Sequence, residues 1–181
     1  MRSQTQTAAF GLYFSGVDLQ SVAGELSRAG VPPDDISVVL PASHPAAKTL
    51  RSLKTGTCAP GAVSQVQDVL TWLSKFGSVV IPGVGLFLTG RAFTGTLFGA
   101  ACEDHVCNRV LHNLGMPDAE AERYEEWVNL GGSVAYVCSD DSELVQHACE
   151  TLEDAGAEEV SWMDEGHGYS EFGFQHLLQA S

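Results

Sequence analysis

Apolar positions along the chain fall into two rhythms, one strand-like and one helical, and the same succession of them occurs twice. AAFGLYF (8–14) is a short apolar run with aromatics and reads as a strand. In VDLQSVAGELSRAG, Leu19, Val22, Ala23 and Leu26 recur at the three/four spacing that lines one face of a helix. Gly30 stands where a helix C-terminal glycine belongs, and Pro32 and Pro33 bar continuation. DISVVLP then reads as a second strand, stopped by Pro41. Near the other end, GSVAYVC reads as a strand and SDDSELVQHACETLEDAG as a helix. Its apolar stripe is Val145, Ala148, Cys149 and Leu152, with Ser139 or Asp140 as N-cap and Gly156 as terminal glycine. AEEVSWM is the closing strand.

The two units match in pattern: Leu26 with Leu152, Ala29 with Ala155, Gly30 with Gly156, and Ile36 with Val160. Two copies are too few for a solenoid. Paired βαβ units predict a single α+β domain over 1–181, a ferredoxin-like sandwich whose four-stranded antiparallel sheet carries both helices on one face. The expected parts are a first βαβ half at 8–41, a helical glycine-rich insertion at 42–131, a second half at 132–163 and a polar tail at 164–181.

Within the insertion, Val66, Val69, Leu70 and Leu73 share a helix face, and VVIPGVG reads as a turn region. From Leu86 to Leu114 the spacing of Phe93, Leu97, Ala100, Cys107, Leu111 and Leu114 predicts one long helix. MPDAEAERYEEWVNLGG predicts a shorter one, with Pro117 near its start, Asp118 and Glu120 in the first turn and glycines at its end. Gly95 and Gly99 form a GxxxG one turn beyond Gly90. Each mid-helix glycine costs about 0.5–1 kcal/mol against alanine, and close backbone packing would offset it. Phe87, Phe93 and Phe98 would then stay uncovered, which predicts a homodimer or higher oligomer meeting through Phe87, Gly90, Phe93, Gly95, Phe98 and Gly99.

Charge narrows the range of partners. Net charge is −14; residues 1–117 carry seven acids and eight bases, whereas residues 118–181 carry sixteen acids and one base, Arg123. Such a surface argues against nucleic acid and against anionic lipid. The most apolar stretch, 76–101, is broken by Pro82 and Arg91 and falls short of the about 20 uninterrupted residues of a membrane span. The five cysteines, Cys58, Cys102, Cys107, Cys138 and Cys149, are odd in number and irregular in spacing. With an opening segment that has no apolar leader core, they predict free thiols in a reducing cytoplasm.

A family resemblance rests on IPGVGLFLTGRAFTGTLFGAA followed by LGMPDAEAERYEEWVNLGGSVAYV. Gly115–Met116–Pro117 through Ala121, Tyr124, Glu125 and Gly131–Gly132 are its most telling positions. This passage resembles the bacterial heat-induced, or general stress, protein domain over roughly residues 8–160. The resemblance implies a glycine-rich hairpin set between two βαβ halves and a stress-linked setting; it implies no catalytic residue.

Reactive constellations are sparse. Cys102, His105 and Cys107 lie close together, but structural zinc prefers a second ligand pair at matching spacing. In the tail, His167 and His176 stand among Asp164, Glu165 and Glu171 and are a second set of metal candidates. There is no G-x-S-x-G, and His44 beside Ser43 is a pairing that chance supplies often. The expected function is a non-enzymatic, stress-associated binding or interaction module without a cofactor, its small ligand unknown. Alternatives are a small-ligand sensor of ACT-like type or a metal-binding protein using the Cys and His residues.

Overall fold

The computed structural model of the chain describes residues 7–14, 16–41, 43–44, 78–80, 85–89, 111–112, 116–164 and 168–171. β1 (Thr7–Tyr13) leads into α1 (Leu19–Arg28), a 3₁₀ turn at Pro33–Asp35 and β2 (Ile36–Pro41). β3 (Ser78–Val80) and β4 (Gly85–Thr89) follow, then α2 (Asp118–Asn129), β5 (Ser133–Ser139), α3 (Ser142–Asp154), β6 (Glu159–Asp164) and β7 (Gly168–Glu171). The molecule is α+β, and its strands form one antiparallel sheet in the order β3-β4-β2-β5-β1-β6-β7.

The two βαβ units interleave at the centre. β5 lies between β1 and β2, and β1 lies between β5 and β6, each antiparallel to its neighbours. Each unit's own two strands therefore run parallel, separated by one strand of the other unit. The expectation that both terminal halves share one sheet holds, and the structure sets β1 against β5 with Phe10 opposite Tyr136.

Residues of β1 are buried on both sides of the sheet, which is why the run reads as continuously apolar rather than alternating. Ala9 and Tyr13 face the first layer, with Ile36, Val38, Leu40, Ala135 and Val137, against the stripes of α1 and α3. The predicted stripes, Leu19, Val22, Ala23 and Leu26 on α1 and Val145, Ala148, Cys149 and Leu152 on α3, are the buried faces. Ala8, Phe10 and Leu12 face the opposite layer, with Val39, Val134 and Tyr136, against Ala121, Tyr124 and Val128 of α2 and against Leu111 and Met116.

Helices α1, α2 and α3 end alike. In α1 the amide of Val31 donates to Leu26 O and that of Gly30 to Ser27 O. In α3 the amide of Ala157 donates to Leu152 O and that of Gly156 to Glu153 O. In α2 the amide of Gly132 donates to Trp127 O and that of Gly131 to Val128 O. This is the Schellman pattern, and Gly30, Gly131 and Gly156 take the left-handed backbone it needs, at φ of 94°, 99° and 85°.

Several expectations are corrected. The four expected strands are present and antiparallel as β2, β5, β1 and β6, and the sheet extends beyond them to β4 and β3 at one side and β7 at the other. Val79 and Val80, read as part of a turn, lie in β3, and Gly85 with Leu86–Thr89, the expected start of the Leu86–Leu114 helix, form β4; the two strands pair through Val79↔Leu88 and Val80↔Phe87, and β4 joins β2 through Val39↔Phe87. The insertion is thus not wholly helical. Part of the tail is strand, β7 pairing with β6 through Trp162↔Ser170 and Met163↔Tyr169. The N-cap of α3 is Asp141 rather than Ser139 or Asp140, its carboxylate accepting from the amides of Glu143 and Leu144. Among the described residues, no helix is long and apolar enough to cross a membrane.

Candidate functional site

The second face of the sheet carries most of the described polar chemistry. α2 presents Arg123 and Tyr124 toward β6. The Arg123 guanidinium grips the Glu159 carboxylate with both nitrogens of its fork, Nη1 reaching Oε2 at 2.6 Å and Nη2 contacting Oε1. Its Nε and Nη2 also donate to Glu120 Oε2, at 2.9 and 2.6 Å. The Tyr124 hydroxyl donates to Ser161 Oγ at 3.2 Å, and that hydroxyl donates to Glu159 Oε1 at 3.3 Å. Hydrogen bonds from Arg123 hold the Glu159 carboxyl below the ordinary carboxylate range, against the opposing effect of burial. The guanidinium also lies 5.4 Å from the centroid of the Tyr124 ring.

The aromatic rings of this face pack edge to face and tilted, Phe10 with Tyr124 at 5.8 Å and Phe10 with Tyr136 at 4.7 Å. Burial pushes the Tyr136 phenol well above its ordinary value, and burial likewise raises the nearby Cys138 thiol. Cys149, on the other face, is pushed up to about 12 by burial. Both cysteines are free and buried. A thiol held protonated is a poor nucleophile and a poor metal ligand.

At the C-terminal end of α2, Trp127 turns back over the helix end. Its Nε1 donates to Tyr13 O at 2.9 Å, and its ring centroid lies 4.9 Å from that of Phe14. Gly132 makes room for it, since a Cβ there would lie 2.1 Å from Trp127 Nε1. In α1 and α3 the residue after the left-handed glycine carries a side chain; in α2 the Trp127 ring occupies that space.

The described histidines sit apart from one another. His112 Nε2 lies 3.1 Å from Asp118 Oδ1 and His147 Nδ1 lies 3.3 Å from Glu150 Oε2, all four side chains substantially exposed. His44 is half-buried, and burial lowers its pKa. Among the described residues no group of three or more His, Cys, Asp or Glu could hold a metal ion. The metal candidates Cys102, His105, Cys107, His167 and His176 lie outside the described residues, as do Gly90, Phe93, Gly95, Phe98 and Gly99. Phe87 belongs to β4 rather than to a helix.

Nothing in the sequence pattern announced the Arg123–Glu159 clamp, whose partners stand 36 residues apart. The one signal was compositional, Arg123 being the single base among sixteen acids. No family model, curated protein or solved structure matches the chain.

Proposed function

We propose that the chain is a ferredoxin-like binding module, with no catalytic chemistry of its own, that assembles with copies of itself through the glycine-rich segment containing Gly90, Phe93, Gly95, Phe98 and Gly99. The observation that carries this reading is the interleaving of the two βαβ units, with α1 and α3 together on one face of the central strands. Two further features favour binding over catalysis. The described thiols are held protonated by burial. The Arg123 guanidinium is engaged by two carboxylates.

Self-association is supported by composition: residues 86–101 carry a GxxxG and a single charge, that of Arg91. The resemblance to the heat-induced or general stress protein domain suggests a stress-linked setting, and the acidic surface suits a cytoplasmic protein that avoids nucleic acid and anionic membranes. Light scattering tests the assembly. The expected mass is a multiple of 19.2 kDa, and Gly95→Leu or Gly99→Leu should return it to a single multiple. A clean monomer at high concentration overturns the reading. A stoichiometric metal in elemental analysis of protein purified without chelator would shift the assignment to a metal protein.

The interleaved sheet also favours one second reading, a small-ligand sensor of ACT-like type. Thermal shift against amino acids and nucleotides separates the two, because a ligand that binds the native state raises its stability by mass action.

A further inference from the structure

An apolar patch remains at the surface where β1 ends against α2. Among the described residues the exposed large apolar side chains are Phe14, at 55%, and Leu130, at 86%. Trp127 stands between them in position: its ring lies tilted at 36° to that of Phe14, with centroids 4.9 Å apart, and it precedes Leu130 by one helical turn. The indole is held from both sides, by its hydrogen bond to Tyr13 O and by the space that Gly132 leaves. A surface aromatic fixed in one orientation has little side-chain entropy left to lose on binding. Aromatic side chains of this kind carry most of the energy at protein interfaces.

Exposed carboxylates stand on the segments that carry the patch. Glu126 is exposed one turn before Leu130, and Glu122 is exposed one turn earlier still. Asp18 is exposed four residues after Phe14, and exposed Glu158 donates its amide to Leu12 O, two residues before Phe14. Among the described residues of α2 the one cation, Arg123, is engaged with Glu120 and Glu159. Apolar centre and acidic rim together select a partner of opposite charge. A second copy fits poorly, because a twofold contact would set each acidic rim against its own likeness.

We propose that the Phe14–Trp127–Leu130 patch is a docking site for a partner segment that presents an apolar side chain flanked by lysine or arginine. The proposal rests on the reading of the chain as a binding module. Subunit mass tests that reading through Gly95→Leu and Gly99→Leu, whereas the patch is tested through Phe14 and Leu130, so either can fail without the other.

The probe is a synthetic amphipathic Lys–Leu peptide, with Glu–Leu and Lys–Ser peptides as its controls, titrated into the full chain by calorimetry. The Lys–Leu peptide should bind about tenfold more tightly than either control, as expected of an anchor worth about 1.4 kcal/mol. Leu130→Ser and Phe14→Ser, which alter exposed side chains and leave charge unchanged, should each weaken it several-fold while circular dichroism stays native. Glu126→Gln should weaken it less and flatten its dependence on salt. Undiminished binding to both serine variants would mean general attraction to an acidic surface and would overturn the proposal. Equal binding of the Glu–Leu peptide would overturn it as well. So would a peptide-independent dimer that Leu130→Ser dissolves, since the patch would then belong to a second copy.

Discussion

The two faces of the sheet are stabilised in different ways. The face under α1 and α3 is mainly aliphatic, filled by side chains that each helix carries at its own three/four spacing around one buried tyrosine, Tyr13, whose hydroxyl donates to Leu152 O. The face under α2 is aromatic, with Phe10, Tyr124 and Tyr136 in mutual contact and a polar path from Tyr124 through Ser161 to Glu159 and Arg123. On the first face, removing one side chain leaves a cavity. On the second, removing one member leaves a polar group without its partner or an aromatic without its seat. Local periodicity specifies the first kind of contact; only the folded arrangement brings the second kind together.

The largest effect should come from the first face. Leu26 and Leu152 are fully buried and occupy equivalent places in the two βαβ units. Leu26→Ala and Leu152→Ala should each cost about 3 kcal/mol in urea unfolding. Equal losses would support the structural repeat, and a Leu152→Ala loss below about 1 kcal/mol would break it. On the second face, Gly132→Ala should cost about 2 kcal/mol, because its Cβ would displace the Trp127 indole. That cost should largely disappear in a Trp127→Ala background, a non-additivity that a double-mutant cycle measures.

The Arg123–Glu159 pair is partly exposed, so Arg123→Met should cost only about 1 kcal/mol at neutral pH. Its pH dependence carries more information. The folded-state pKa of Glu159 is depressed, so its contribution to stability is present above the ordinary carboxylate range and is lost as pH falls through the depressed value. Urea midpoints of wild type and Arg123→Met should therefore converge in acid. A difference that does not change with pH would remove the ion pair from the account. Tyr124→Phe, which deletes the donor to Ser161, should cost about 0.5–1 kcal/mol. The smallest structural perturbation is a labelling experiment. Cys149 should react with a thiol reagent only as fast as the protein opens, since burial holds its thiol protonated near neutral pH.

Legibility followed the range of the interactions. The stripes of α1 and α3, their terminal glycines and the sharing of one sheet by the two βαβ units could all be read from the chain. Helical periodicity and the left-handed residue of a Schellman motif are properties of a few consecutive residues. The residues of β4 fit the apolar spacing of a helix from Leu86 because a short apolar run suits a buried helix as well as a strand, and those of β3 adjoin a Pro82–Gly83 pair that reads as a turn. The β-branched residues before Ile81–Pro82–Gly83 were the available signal for strand, and pairing with β2 decided the matter. Strand β7 was hidden similarly, its turn glycines reading as a pliant tail until β6 supplied a pairing edge.

Local patterns along the chain suffice for the α+β class, the two βαβ units, the apolar faces of their helices and the concentration of negative charge after residue 117. Tertiary structure alone decided the interleaved strand order, the extra strands at both sides of the central four, and the contacts of α2. Arg123 meets Glu159 across 36 residues, Tyr124 meets Ser161 across 37, and Trp127 meets Tyr13 across 114. The physical reason is common to all three. A side chain's local spacing establishes which way it faces on its own helix or strand, but its partner is chosen by which other segment the sheet order brings beneath it.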